Sequence, residues 1–155
     1  MDKDNFGKLI EPDNYQVFLF MCPATLPFSF GAHSWFVINK KGSVSRWEIL
    51  FRKIKNKQNW GNLYKDFLPP FQGIRVVPFL RGYYWESKLF AKIEGKNAEK
   101  MIEFIEKSPI LYPYTNKYFL TGPNCNTYVQ WIINNFSEIE LTLPWSCFGK
   151  NHKLK

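Results

Sequence analysis

Cys125 opens a helical pattern in the segment Thr121-Gly122-Pro123-Asn124-Cys125-Asn126-Thr127-Tyr128. Gly122 and Pro123 interrupt the preceding chain, and Asn124 is a favoured N-cap residue. Downstream, Cys125, Tyr128, Val129, Ile132, Ile133 and Phe136 recur at the spacing of one helix face. A thiol in the first turn of a helix sits among unpaired backbone N–H groups at the positive end of the dipole, which favours its thiolate. The same N–H groups suit an oxyanion formed when a carbonyl is attacked. The expected chemistry is therefore nucleophilic attack by sulfur on an acyl group.

A thiolate nucleophile needs a base, and the chain has two histidines. His152 lies in the charged tail Lys150-Asn151-His152-Lys153-Leu154-Lys155, whereas His33 opens the apolar run HSWFVIN after Gly31-Ala32. Small residues there let another element approach closely. In an antiparallel hairpin joined through Lys40-Lys41-Gly42-Ser43, alternation places His33, Trp35 and Val37 on the face of Val44, Arg46, Glu48 and Leu50. Glu48 then lies one pleat from His33 and is the candidate third member of a triad. Asn124 and Asn126 are candidate supports for the oxyanion, and Trp35 and Tyr128 candidate aromatic walls of the site. Each has a structural alternative: Cys125 a small core residue, His33 a satisfied strand histidine, Glu48 a surface partner of Arg46, Arg52 or Lys53, Asn124 a helix cap, and the aromatics core filling.

Positioning these groups requires an α+β fold in which an antiparallel sheet packs against the helix carrying the cysteine. Strands are expected at Tyr15 to Cys22, His33 to Asn39, Val44 to Phe51, Ile74 to Phe79 and about Tyr83 to Ile93. Lys55 to Gln72 is polar, aromatic and Pro-containing, and is expected to be an ordered loop. A second helix is expected from an Asn97 cap to Ser108-Pro109, with Ala98, Met101, Ile102 and Ile105 inward. Two stretches without Asp, Glu, Lys or Arg, Asn14 to Asn39 and Tyr118 to Ser137, are the candidate core.

Composition limits the function classes. With 155 residues, 45% apolar and 22% charged, the chain has the makeup of one globular domain spanning residues 1–155 and not of a disordered tail or a disulfide-stapled toxin. Three widely spaced cysteines, without a C-x-x-C pair, and two histidines speak against a zinc site, so no metal and no cofactor is expected. Pro23, Pro27 and Gly31 interrupt the first uncharged stretch, so no transmembrane segment is expected. The polar start, Met1-Asp2-Lys3-Asp4-Asn5, lacks a signal-peptide pattern, and a cytoplasmic location is expected.

Net charge is +8, and seven basic residues against the single acid Glu48 put +6 of it between Lys40 and Lys57. Aromatics make up 19% of the chain, and Trp47, Phe51 and Trp60 lie in or beside that run. A second reading follows: a non-catalytic protein binding nucleic acid or anionic lipid headgroups. No nucleic-acid motif accompanies the charge. An inactive scaffold is the third reading.

The order of elements, a histidine opening a hairpin, further strands, then a cysteine opening a helix, resembles the circularly permuted branch of the NlpC/P60 superfamily of papain-like thiol enzymes, which includes lecithin:retinol acyltransferase-like proteins. More closely, GPNCNTYVQWII, preceded by Tyr112-Pro113-Tyr114 and followed by Leu143-Pro144 and Gly149-Lys150, is similar to the signature of an uncharacterised bacterial domain family, as is HSWFVI followed by Arg46-Trp47-Glu48. That similarity covers most of Ala32 to Lys153. Many members have Ser at the position of Cys125, and the family carries no established activity to transfer. The superfamily resemblance implies a hydrolase or acyltransferase acting on a small acyl, peptide or lipid-like substrate. The missing secretion signal speaks against intact cell wall.

Overall fold

A computed structural model describes residues 1–51 and 59–153. The elements in order are α1 (Lys3–Gly7), β1 (Tyr15–Pro23), β2 (Ala32–Lys40), β3 (Ser43–Ile49), β4 (Asn59–Trp60), β5 (Leu63–Lys65), β6 (Gln72–Arg75), β7 (Tyr84–Glu86), β8 (Lys88–Glu94), α2 (Gly95–Leu111) and α3 (Cys125–Asn134). One sheet has the order β4-β5-β3-β2-β1-β8, a second consists of β6 and β7, and every pairing between described strands is antiparallel.

β1 and β2 carry near-continuous apolar runs because both faces of the sheet are covered there. Val17, Leu19, Phe36 and Ile38 pack with Ala98, Met101 and Ile105 of α2 and with Val129 and Ile132 of α3. On the opposite face Phe18, Phe20, Trp35 and Val37 cluster with Phe6 of α1, and Phe71, Ile74 and Trp85 pack against them. The α+β architecture with a helix that opens on Cys125 is thus present.

Several expected boundaries move. The segment read as a loop between Lys55 and Gln72 contains β4 and β5, whose two and three residues are too short to display alternation. Residues 52–58, which include the start of that segment, lie outside the described residues, and with them Arg52, Lys53, Lys55 and Lys57 of the basic run. α2 starts directly from β8 with Glu94 as its N-cap, not Asn97, and runs three residues beyond Ser108. Pro109 is accommodated in its last turn, where only one backbone bond is forfeited. The strand expected from Tyr83 to Ile93 is divided between two sheets, β7 and β8.

The hairpin between β2 and β3 fixes the register on which the site depends. Lys40 pairs with Ser43, so the turn is Lys41-Gly42, both at positive φ (50° and 87°), the backbone that a tight two-residue hairpin requires. From there Val37 faces Arg46 and Phe36 faces Trp47, and the ladder stops. Beyond that point β2 continues along β1 as far as the Ala32 and Pro23 pair, while β3 continues along β5, pairing Ile49 with Leu63. The two strands therefore part into a fork.

The start of α3 is held by its capping box and by the C-terminal segment. The Asn124 side chain accepts from the Asn126 and Thr127 N–H groups, and the Asn124 N–H donates to Thr127 Oγ1 at 3.1 Å. Asn124 Nδ2 donates to the Phe148 carbonyl at 3.0 Å, Thr127 Oγ1 donates to the Gly149 carbonyl at 2.7 Å, and the Ala32 N–H donates to the Ser146 carbonyl at 2.8 Å. One strap thus ties α3 to the first residue of β2. Gly149 lies at φ 85°, and a Cβ there would stand 2.5 Å from Asn124 Nδ2. Gly149→Ala is expected to cost about 1–3 kcal/mol in backbone strain alone, measured by guanidinium unfolding, and to slow alkylation of Cys125 by shifting its helix start.

Candidate active site

Cys125 is the first residue of α3, is 3% exposed, and points from the helix-covered face into the fork between β2 and β3. In a two-residue hairpin the hydrogen-bonded pairs recur at every second position, here 40 with 43, 38 with 45 and 36 with 47. Ser34 and Ile49 would form the next such pair. Because the strands have parted, the Ser34 N–H meets the Cys125 sulfur instead.

His33 lies on the other side of that fork, on the same face as Trp35, with its ring stacked 5.6 Å from the Trp35 ring. Its Nε2 is 3.0 Å from Glu48 Oε2, which leaves Nδ1 as the ring nitrogen for the thiol. Glu48 Oε2 also accepts from an Arg46 guanidinium nitrogen at 2.7 Å. Arg46 in turn donates to the Pro69 carbonyl at 2.8 Å and to the Gln72 carbonyl, and its guanidinium lies 4.2 Å from the Trp35 ring centroid. Arg46 and Glu48 are both fully buried. Cys125, His33 and Glu48, expected together from the sequence, are brought together, and Arg46 is drawn inward behind them.

The electrostatics follow from this row of alternating charges. Burial raises the Cys125 pKa, but the charge of His33, its hydrogen-bonding interaction with the sulfur, the Ser34 N–H and the Tyr118 hydroxyl outweigh it, and the net direction is down. Burial lowers the His33 pKa, and the negative sulfur followed by Glu48 overrides this, raising it to about 9. Burial likewise raises Glu48, and Arg46 and then His33 bring it below the usual carboxylate range. At Cys22 and Cys147 burial outweighs the nearby cations, Arg46 and Lys150 respectively, and pushes each thiol up to about 12. The arrangement suits a thiolate–imidazolium pair.

The site residues expected around this pair need correction. Trp35 is no cavity wall: strand alternation places it beneath His33, between Arg46 and Phe20, with Nε1 donating to the Pro70 carbonyl at 3.0 Å. Tyr128 lies one turn along α3 and points into the core, its hydroxyl 2.8 Å from Ser108 Oγ. Trp131 packs beside it against Phe104 and Tyr112. Neither asparagine has a free amide donor for an oxyanion. Asn126 Nδ2 donates to the Ala32 and Phe148 carbonyls, and Asn124 Nδ2 to those of Phe119, Leu120 and Phe148. Both residues position the helix start.

A cavity of about 800 Å³ opens onto His33 and Cys125. Its walls include Phe28 from the loop after β1, Leu50 after β3, Phe67 after β5, Ile74 of β6, Tyr118 before α3 and Phe148 of the C-terminal strap. Tyr118 escaped the sequence reading because nothing local separates it from Tyr112 and Tyr114. Its hydroxyl reaches the Cys125 sulfur, and the negative charge there pushes its own pKa upward. Among the described residues no group of three or more His, Cys, Asp or Glu is placed to hold a metal ion. Of the described members of the basic run, Arg46 is buried and Lys40 pairs with Glu106 at 2.8 Å.

Comparison with family models places this site in context: one model matches residues 15–152, from the first residue of β1 to His152. The chain belongs to DUF3750, a family of proteins of unknown function. No curated protein and no solved structure matches. The matched region contains every residue of the Arg46, Glu48, His33 and Cys125 row as well as Tyr118 and the C-terminal strap.

Three expectations for this DUF3750 member rest on the geometry. Iodoacetamide at pH 7 should label Cys125 ahead of Cys22 and Cys147, read by peptide mass spectrometry, because only Cys125 has a lowered pKa. His33→Ala removes the cation that stabilises the thiolate, so the pH at which labelling accelerates should move upward, beyond the ordinary thiol value of about 8.5. Replacing one buried partner of the Arg46–Glu48 pair, by Arg46→Met or Glu48→Leu, should cost about 3–5 kcal/mol in denaturant unfolding, and the double replacement far less than the sum.

Proposed function

We propose that the protein is a cysteine-dependent acyl-group enzyme, an amidase, thioesterase or acyltransferase in reaction type. The observation that carries this reading is the meeting of Cys125 with the Glu48-held ring of His33 on the wall of a cavity. The chain order, histidine on a hairpin strand before cysteine on a helix, supports a likeness to the circularly permuted NlpC/P60 enzymes.

In this mechanism the Cys125 thiolate attacks the carbonyl carbon, and the C–O π electrons move to oxygen. The capping box uses the Asn126 and Thr127 N–H groups, whereas the Cys125 N–H has no hydrogen-bond partner among the described residues. That N–H and the Tyr118 hydroxyl are the donors for the oxyanion. As the tetrahedral intermediate collapses, the bond to the leaving group breaks and the His33 imidazolium gives that group its proton. A thioester on Cys125 remains. His33, now neutral, takes a proton from water or an acceptor nucleophile that attacks the thioester, and the thiolate–imidazolium pair is restored. Glu48 keeps the ring oriented and stabilises its positive form, and Arg46 keeps Glu48 ionised.

Incubation with p-nitrophenyl butyrate is expected to release nitrophenol and to leave a butyryl adduct on Cys125 in the intact mass of the quenched protein. Cys125→Ala should show neither. Tyr118→Phe should lower the acylation rate about 10²-fold, the usual effect of losing one oxyanion donor. Acylation of Cys125 no faster than that of a free cysteine in solution would overturn the reading.

A further inference from the structure

We infer that the acyl group accepted by Cys125 is a long unbranched hydrocarbon chain, seated in the cavity beside the thiol. This rests on the acyl-enzyme reading and adds the substrate class.

Among the described residues most of the cavity wall is hydrocarbon. Among the described residues its charged side chains are His33 and Arg75, the latter with one guanidinium N–H on the Pro78 carbonyl at 3.3 Å, and Tyr84 and Tyr118 are its tyrosines. The Thr25 hydroxyl donates to the Arg75 carbonyl at 2.9 Å. The amides of Asn124 and Asn126 donate to backbone carbonyls as described above. A glycan or a peptide backbone in such a place would lose its hydrogen bonds to water and regain only part of them. A polymethylene chain loses nothing of that kind and gains about 0.8 kcal/mol per buried CH₂. The volume, about 800 Å³, falls in the range of pockets that enclose a whole ligand.

The entrance points the same way. Leu26, Phe28, Phe30, Phe51, Phe119 and Leu120 line the cavity and are also exposed, from 42% at Leu26 to 78% at Phe51. Contiguous exposed apolar side chains are uncommon on a protein surface and mark sites that meet apolar partners. Here they surround the route to a thiolate, so that a chain entering the cavity passes from one apolar surface to another. Transfer follows the proposed chemistry: the bond from sulfur to the acyl carbon forms, the bond from that carbon to the leaving oxygen, nitrogen or sulfur breaks, and the leaving atom takes the His33 proton.

The test compares p-nitrophenyl acetate, butyrate, octanoate and dodecanoate under kcat/KM conditions, with Cys125 acylation read by mass. The expected result is a rise of up to about fourfold per added methylene until the cavity is full, the rate equivalent of about 0.8 kcal/mol. Rapid acetylation of Cys125 with a flat or falling dependence on chain length would overturn the chain inference and leave the acyl-enzyme reading intact. Failure of every ester to acylate Cys125 would overturn the acyl-enzyme reading. The chain site is then judged separately by titrating Cys125→Ala with dodecanoate and butyrate: binding of dodecanoate alone supports it, and equal or absent binding overturns it. The source of the chain is read by offering dodecanoyl-coenzyme A and, in parallel, phosphatidylglycerol vesicles. An adduct from the first names a soluble thioester, and one from the second a membrane lipid.

Discussion

Four ionisable side chains, Arg46, Glu48, His33 and Cys125, are 0–3% exposed, and a buried charge is tolerated only beside its opposite. They stand in a row of alternating sign, with Glu48 Oε2 2.7 Å from Arg46 and 3.0 Å from His33, and His33 against the sulfur. Each member lowers the cost of its neighbour's charge. The row crosses three elements: β3 supplies Arg46 and Glu48, β2 supplies His33 and α3 supplies Cys125. The relative placement of those elements is therefore tied to an electrostatic balance and not to apolar packing alone. Trp35 supports it by stacking on His33 and by offering its ring face to Arg46.

The row can cross from one face of the sheet to the other only because β2 and β3 diverge. A sheet whose ladder ran on to Ser34 and Ile49 would close the passage and use the Ser34 N–H for the partner strand. The Lys41-Gly42 turn sets the register that places Glu48 diagonal to His33, and β5 draws the end of β3 away from β2. The C-terminal strap closes the arrangement from outside, bonding to Ala32 beside the histidine and to Asn124, Asn126 and Thr127 around the cysteine. One peptide carbonyl, that of Phe148, accepts from both asparagines, so the start of the helix and the start of the strand are held to the same segment.

Much of this was legible in the chain itself, and the limits have physical causes. Cys125 declared itself through the Gly-Pro-Asn punctuation and the helical stripe behind it, because caps and periodicity are local. His33 and Glu48 followed from alternation across one short hairpin, whose register is fixed by its turn. Arg46 was misleading, since a cation beside lysines reads as surface, and only the carbonyls of Pro69 and Gln72, more than twenty residues away, make a buried site for it. Trp35 and Tyr128 share the faces of His33 and Cys125, but one pleat or one turn farther along, which carried them from the cavity into the core. Tyr118 was invisible because its contact with the thiol depends on how a loop without periodicity folds back. β4 and β5 escaped because strands of two or three residues have no readable alternation.

The other two cysteines show how much the row matters. Cys147 is buried in the same cluster as Cys125, and Cys22 in the cluster on the opposite face, each 5% exposed or less. For both, burial dominates and the thiol is pushed up to about 12. Cys125 is equally enclosed, yet its pKa moves the other way, so exposure cannot be what distinguishes it. The difference is an imidazole held by a carboxylate, one strand N–H released by the fork, a tyrosine hydroxyl and the first turn of a helix. In an apolar surround each of these acts at low effective dielectric and is stronger than it would be in water. An apolar surround therefore acts on the sulfur in two directions: it opposes the thiolate by desolvation, and by keeping water from screening His33 it strengthens the attraction that outweighs this cost.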